Sequence, residues 1–571
     1  MRATLALLLV LAACASAPAP RPPAGRVTIS VAGTSDIHGH VGAEGDLGGF
    51  ALLGGYLANL RAARAADGGA VLLLDGGDDW QGTMESNMAE GEPVVRAMNQ
   101  LGYDALGLGN HDFDYGPVGP RVTASEPGDD PRGALKLNAS KAKFPFLTAN
   151  IYETATGKPL AGPNIMPSTI IQVAGMRIGV LGAATTDTPT STMAANWAGL
   201  ELRPLAPAIA AEAASLRARG AQVVALATHA GLCRRSIDVE QIAHCTEGEI
   251  VDVVRALPPG AIDVVVGGHT HMGASLEVNG VPIVQAWKYG RGLARVDLFF
   301  ENGRLVGHKM FDPVLICARV VAGTQRCDKD APDGPRVPAT YEGRPVVPDS
   351  AVAALVAPYV ERAAAHRNEK LGVRITSTIV KSYGEESPFG NLVADLMHAA
   401  RPQADLALTN GGGLRADLPA GELTYGEFYA TYPFDNRFAE VELPARSFRE
   451  LMKENISHSK GILSVSGVRV KARCEGSELV VTLTRDDGRP IDDNQRLRVA
   501  TSDFLASSGD GPLGGSANAT AQIEEGTLVR EDIIGVLRKR GGVLSGDDKK
   551  LFDPEHRRID YPGQRPVRCP R

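Results

Sequence analysis

Between Arg26 and about Asp312, short apolar runs rich in strand-forming residues alternate with stretches of helical spacing, a pattern that predicts an α/β fold. The runs end alike. RVTISVAG leads into Thr34-Ser35-Asp36-Ile37-His38, AVLLLDGG into Asp78, and YDALGLG into Asn110-His111-Asp112. QVVALAT leads into His229, and IDVVVGG into His269-Thr270-His271. Open α/β sheets hold their sites at the C-terminal ends of strands, and these predicted ends carry Asp36, His38, Asp78, Asn110, His229, His269 and His271. Any one fragment is commonplace, since a lone strand-end His is more often a satisfied surface or core residue and a Gly pair more often a turn. A nitrogen and oxygen ligand set repeated on five runs, with no thiolate, predicts convergence on metal.

From about Phe311 the pattern changes. A Pro/Gly-containing loop precedes Val347-Pro348-Asp349-Ser350, a helix start, and AVAALVAPYVERAAAHRNEKL then has helical spacing, so 313–372 reads as linker and connecting helix. Over 373–550 a second α/β pattern follows, in which Gly390-Asn391 opens an apolar-periodic helix and DLALTNGGGLRADLPAGELTYGEFYATYPFDN reads as strand, glycine-rich turn and helix. With 571 residues, two domains are expected, here 26–312 and 373–550, followed by a tail at 551–571.

Charge and cysteine usage narrow the chemistry. A formal net charge of -7 carries no electrostatic footprint for a nucleic-acid polymer, so an anionic substrate has to meet local positive charge. Residues 1–25 combine an early Arg, an apolar run too short to span a bilayer, and small residues before Cys14, which predicts export. Leu11-Ala12-Ala13-Cys14 resembles a bacterial lipobox, with Cys14 the lipidated residue and Pro18–Gly25 its spacer; the alternative is ordinary cleavage near Ala17. The expected location is therefore the bacterial periplasm or outer membrane. Six further cysteines suit an oxidising compartment. Proximity pairs Cys233 with Cys245 and Cys317 with Cys327, leaving Cys474 for Cys569, although sequence alone does not choose among the roughly 15 connectivities of six cysteines.

The ordered set Asp-x-His, Gly-Gly-Asp, Gly-Asn-His-Asp, Thr-His and Gly-His-x-His resembles that of the calcineurin-like metallophosphoesterases. Over nearly the whole chain after the signal, the resemblance is closest to the secreted bacterial 5′-nucleotidase / 2′,3′-cyclic phosphodiesterase / UDP-sugar hydrolase group. It implies a four-layer metallophosphoesterase β-sandwich flanked by helices, joined by a helix to a second α/β substrate-binding domain. It further implies two divalent metal ions, one on Asp36, His38 and His271, the other on Asn110, His229 and His269, with Asp78 as bridge. Two cations about 3.5–4 Å apart neutralise a phosphate ester and activate water, and such mixed ligands suit zinc, manganese, cobalt or iron. His111 and Asp114 match the family's catalytic dyad, whereas Asp112 reads as structural. In the C-terminal half, Asn410 and Arg415 match nucleoside and phosphate contacts, Phe434 and Phe504 the aromatic pair that sandwiches the base, and Asp510 the acidic residue beside the nucleoside. An isolated Phe is most often core.

One segment departs from the family pattern. Where arginines are common, the chain reads Ser382-Tyr383-Gly384-Glu385-Glu386-Ser387, so one phosphate-binding Arg is absent and Glu385 is expected to repel a phosphate. The sequence therefore points to hydrolysis of a small nucleotide. Cyclic-nucleotide, UDP-sugar and sulfo-ester hydrolysis are the alternatives within the fold, and a metal-stabilised nucleoside-binding lipoprotein the alternative outside catalysis, against which the His111–Asp114 dyad speaks.

Overall fold

The computed structural model describes residues 25–570 apart from 120–122, 125–126, 234–241, 508–512 and 514–519, so Cys14 and Asp510 lie outside the described residues. In the N-terminal half, two seven-stranded sheets pack face to face. The first runs Arg304–Leu315, Gly292–Glu301, Arg26–Thr34, Ala70–Asp75, Ala105–Gly107, Phe146–Leu147, Ile165–Met166. The second runs Ile242–Ala243, Gly273–Val278, Val281–Ala286, Val264–Gly267, Val223–His229, Met176–Ala184, Ser168–Val173. The central strands are parallel: Arg26–Thr34 with Ala70–Asp75, and Val223–His229 with both Val264–Gly267 and Met176–Ala184.

Parallel strands covered on both faces need continuous apolar sequence, which VVALATH supplies, every residue of it being buried. Ile29, Val31, Leu72 and Leu74 of the first sheet interleave with Ile178, Val180, Ala225 and Val266 of the second. The helices Phe50–Ala66 and Glu92–Leu101 cover the outer face of the first sheet, and Leu205–Ala218 and Glu249–Ala256 that of the second. The result is a helix, sheet, sheet, helix sandwich, as expected from sequence.

The helix Ser350–Arg367 starts at Asp349, whose side chain accepts from the amides of Ala351 and Val352, satisfying donors a helix start leaves open. It packs on Phe50–Ala66 and Glu92–Leu101 before the chain enters the second domain. There a five-stranded sheet runs Leu463–Ser466, Leu406–Asn410, Arg496–Ser502, Arg437–Pro444, Thr520–Leu528. Helices Pro388–Ala400 and Val529–Arg540 cover one face and Ala445–Ser457 the other. Alternation along Leu406-Ala407-Leu408 divides the strand between the two cores.

The residues after 550 are built into this domain: Ile559–Asp560 pairs with Arg469–Glu475, and Arg558 forks onto Asp395 at 2.6 and 2.8 Å. Disulfides join Cys233 to Cys245, Cys317 to Cys327 and Cys474 to Cys569, the pairing suggested by proximity. Among the described residues, no helix is long and apolar enough to cross a membrane.

Candidate active site between the two domains

The strand ends converge as the apolar pattern predicts. Asp36, His38 and His271 form one group of ligand atoms, and Asp36, Asp78 and His229 a second that shares Asp36. Within them His271 Nε2 lies 3.4 Å from Asp36 Oδ1, and His229 Nε2 2.9 Å from Asp78 Oδ2. The second nitrogens of two rings are fixed by backbone: His38 Nδ1 donates to Gln81 O at 2.9 Å and His229 Nδ1 to Gly76 O at 2.8 Å. That sets the tautomer and leaves Nε2 as the ligating atom. His269 lies beside His229, ring centroids 5.1 Å apart, and its Nε2 is 3.5 Å from Asp187 Oδ2 at the cleft mouth.

The backbone here is strained. Asp36, His38, Asp78, His269 and His271 all have positive φ, between 48° and 77°. Each such residue costs about 1–3 kcal/mol, whereas each fully buried Val, Leu or Ile contributes about 1.5–3 kcal/mol, so the sandwich core can hold several strained strand ends. Gly109 adds a close approach: a Cβ there would stand 2.2 Å from Asp78 Oδ1. Asp112 makes the structural bonds expected of it, accepting from Gly109 N at 2.8 Å, Asp78 N at 3.2 Å and Asp79 N at 2.9 Å. It thereby ties the two ligand loops together.

The charges call for cations. Burial raises Asp36 to about 6, while Asp78, which burial alone would raise, is held well below the usual carboxylate range by His229 and His111. Burial drives His38 and His271 well below the ordinary imidazole value, Arg415 adding to the effect and Asp78 offsetting only part of it, so both are neutral. Burial also opposes protonation of His229, but Asp78 and Asp36 overcome it and raise that group to about 10. Buried acids at this spacing draw positive charge, whether proton or metal. Asn110 Oδ1 is buried without a hydrogen-bond partner. Neutral imidazoles, carboxylates and an orphaned amide carbonyl fit divalent cations.

Beside the ligands, His111 Nδ1 lies 2.6 Å from Asp114 Oδ2, and the His111 amide donates to Asp78 Oδ1 at 2.8 Å. Burial lowers the basicity of His111, but Asp114 and Asp78 outweigh it and raise the group. His111 and Asp114 line a cleft that the two domains share. Its other wall brings together Asn410, Arg415, Phe434 and Phe504. Both Phe rings are half-buried, not core. Arg415 lies 5.5 Å from the Phe434 centroid and has no carboxylate partner among the described residues. It contributes the local positive charge that the net charge of the chain does not.

Two features differ from the sequence reading. Glu385 does not line the cleft; its carboxylate accepts from the Tyr561 hydroxyl and lies 3.8 Å from Arg557, both in the last segment of the chain. Its charge is answered there, so the expected phosphate repulsion has no geometric basis. Gln81, three residues beyond Asp78, and Ser191 and Met193, from a segment that carries no motif, also line the cleft.

Comparison with known proteins agrees with this geometry. The family model of the 5′-nucleotidase C-terminal domain matches residues 367–514. Protein UshA of Yersinia enterocolitica is 29% identical over 516 residues, spanning 85% of this chain and 86% of that protein. A 5′-nucleotidase of Vibrio cholerae is 30% identical over 420 residues, 67% of each chain. In fold, the crystal structure of a 5′-nucleotidase precursor from Thermus thermophilus superposes with a TM-score of 0.70 at 23% identity, over 94% of this chain and 99% of that one.

Proposed function

The chain belongs to the 5′-nucleotidase family, and we propose that it is an exported hydrolase that removes phosphate from nucleotides with two divalent metal ions. One observation carries the reading: the His111–Asp114 pair and the aromatic and basic residues Phe434, Phe504 and Arg415 line the same cleft.

Divalent cations would be held by Asp36, His38, His271, Asp78 and His229, whose ligand atoms converge, together with Asn110 and His269 assigned by motif, and would supply charge neutralisation and activation of water. The rest follows from the chain. Asp114 holds the Nδ1–H of His111, which directs Nε2 at the substrate, where it stabilises charge and protonates the leaving oxygen. Arg415 offers an unpaired guanidinium to the phosphate. Phe434 and Phe504 stack on the base, Asn410 contacts the nucleoside, and Asp510 is assigned the same role from sequence alone.

A hydrolysis screen of nucleoside monophosphates, cyclic nucleotides and nucleotide sugars, each with zinc, manganese, cobalt or iron, tests the proposal. Nucleoside monophosphates should be turned over fastest, and preference for another class would overturn it. For the location, Cys14→Ser should move the protein from the membrane fraction to the soluble one, and retention in membranes would remove the lipid anchor from the proposal.

A further inference from the structure

Arg530, in the first turn of the helix Val529–Arg540, is 4% exposed and is not among the residues lining the cleft. Its guanidinium is spent on the loop that carries Phe434. Nη1 donates to Pro433 O at 3.0 Å and to Phe434 O at 3.1 Å, Nη2 to Asp435 Oδ1 at 2.6 Å, and Nε to Glu531 Oε1 at 3.1 Å. The same group stacks on the Tyr429 ring, 4.2 Å from its centroid. From the other domain, Asn87 Nδ2 donates to the Tyr429 hydroxyl at 2.7 Å and to Pro433 O at 3.4 Å. Asn87 Oδ1 accepts from the Gly82 amide at 2.9 Å and from the hydroxyl of Tyr115, the residue after Asp114, at 2.8 Å.

Two carbonyls and a carboxylate on three successive residues can be met by one planar, forked cation, and a point-charge ammonium cannot reach all three. We infer that Arg530 is a positioning residue for substrate selection: it fixes Phe434 in the base slot, and Asn87, through Tyr429 and Pro433, registers that slot on the catalytic half. The inference rests on the proposed stacking role of Phe434. It predicts that nucleotide preference depends on residues that never touch a nucleotide.

The test compares kcat/KM for adenosine monophosphate with that for glycerol phosphate, which has no ring to stack, in the full-length metal-loaded protein. Their ratio cancels losses from misfolding or poor metal loading. Arg530→Lys should lower the ratio about tenfold, the scale of one lost stacking contact, chiefly through KM. Tyr429→Phe, which keeps the ring under Arg530 and removes only the hydroxyl that Asn87 binds, should lower it less, in the same direction. Phe434→Ala serves as the reference. If Phe434→Ala lowers the ratio while Arg530→Lys and Tyr429→Phe leave it at the parent value, the positioning role is wrong and the slot stands. If Phe434→Ala also leaves it unchanged, the slot itself is misassigned and the inference falls with it.

Discussion

The rings of His111 and Phe434 face each other across the cleft with centroids 5.7 Å apart. One ring belongs to the domain that gathers the metal-type ligands, the other to the domain that carries Arg415. On the proposed reading, a base stacked on Phe434 carries its phosphate toward His111, with metal ligands on one wall and recognition on the other.

Removal of single groups should separate these roles. Asp78 lies within reach of His229 and His38, one from each ligand group, and on the proposed bridging role Asp78→Ala should lose bound metal and nearly all activity. His111 ligates nothing in this arrangement, so His111→Ala should retain metal and lose turnover. Elemental analysis of the purified variants distinguishes them, and two metals per chain in Asp78→Ala would refute its bridging role.

Much of this site was legible because parallel strands impose a simple rule: apolar residues fill the sandwich and whatever follows them reaches the rim. Asp36, Asp78, Asn110, His229 and His269 all follow such runs. The two arms that shape the aromatic wall were not legible. Arg530 binds carbonyls 96 and 97 residues away, and Asn87 reaches a hydroxyl 342 residues away, so neither leaves a local pattern. Glu385 was misjudged for the same reason, since its hydrogen-bond partner Tyr561 lies 176 residues on. Nor did sequence reveal the left-handed backbone at five ligand positions, because Asp and His, although enriched in that region, adopt it in only a minority of cases.

Glu385 yields a prediction opposite in sign to the one its charge suggests. If it repelled phosphate, Glu385→Arg would lower KM. In the structure the change removes the acceptor of the Tyr561 hydroxyl and sets a cation beside Arg557 and near Arg565, which donates to Gly384 O at 2.6 Å. Glu385→Arg should therefore leave KM for a nucleotide no lower than the parent's and reduce thermal stability. A fall in KM at unchanged stability would restore the electrostatic reading.

A pH effect follows from Asp503, which is 1% exposed, accepts from the Phe504 amide at 2.9 Å and lies 3.4 Å from Arg437 Nε. Burial raises its carboxyl from 3.8 to about 6, Arg437 offsetting only part of the effect. For a group whose folded value is raised, the contribution to stability is complete below pH 3.8 and is lost as pH rises through about 6. The loss is at most about 3 kcal/mol. Asp503→Asn, which keeps the acceptor for Phe504 and cannot ionise, escapes it. The melting temperature of the variant relative to the parent should accordingly rise between pH 4 and pH 7. A constant difference across that window would mean that Arg437 keeps Asp503 ionised throughout.

The aromatic wall gives the most discriminating prediction about substrate. Phe434 and Phe504 are half-buried and line the cleft, so truncating either removes contact surface from a bound base without opening a cavity in a core. Base–aromatic stacking is worth about 1–3 kcal/mol per base by alanine substitution in single-strand binders, so Phe434→Ala or Phe504→Ala should lower kcat/KM for a nucleoside monophosphate by roughly tenfold to a hundredfold. Glycerol phosphate has no ring to stack and presents only its phosphate to the cations and Arg415, so its kcat/KM should fall much less. The two substrates, measured side by side on the same protein preparation, decide between a stacking slot and a folding defect. Equal losses on both would place the rings in the structural support of the cleft, whereas no loss on either would remove the base from the recognised part of the substrate and leave a phosphoesterase whose selectivity lies with Gln81, Ser191 and Met193 on the opposite wall.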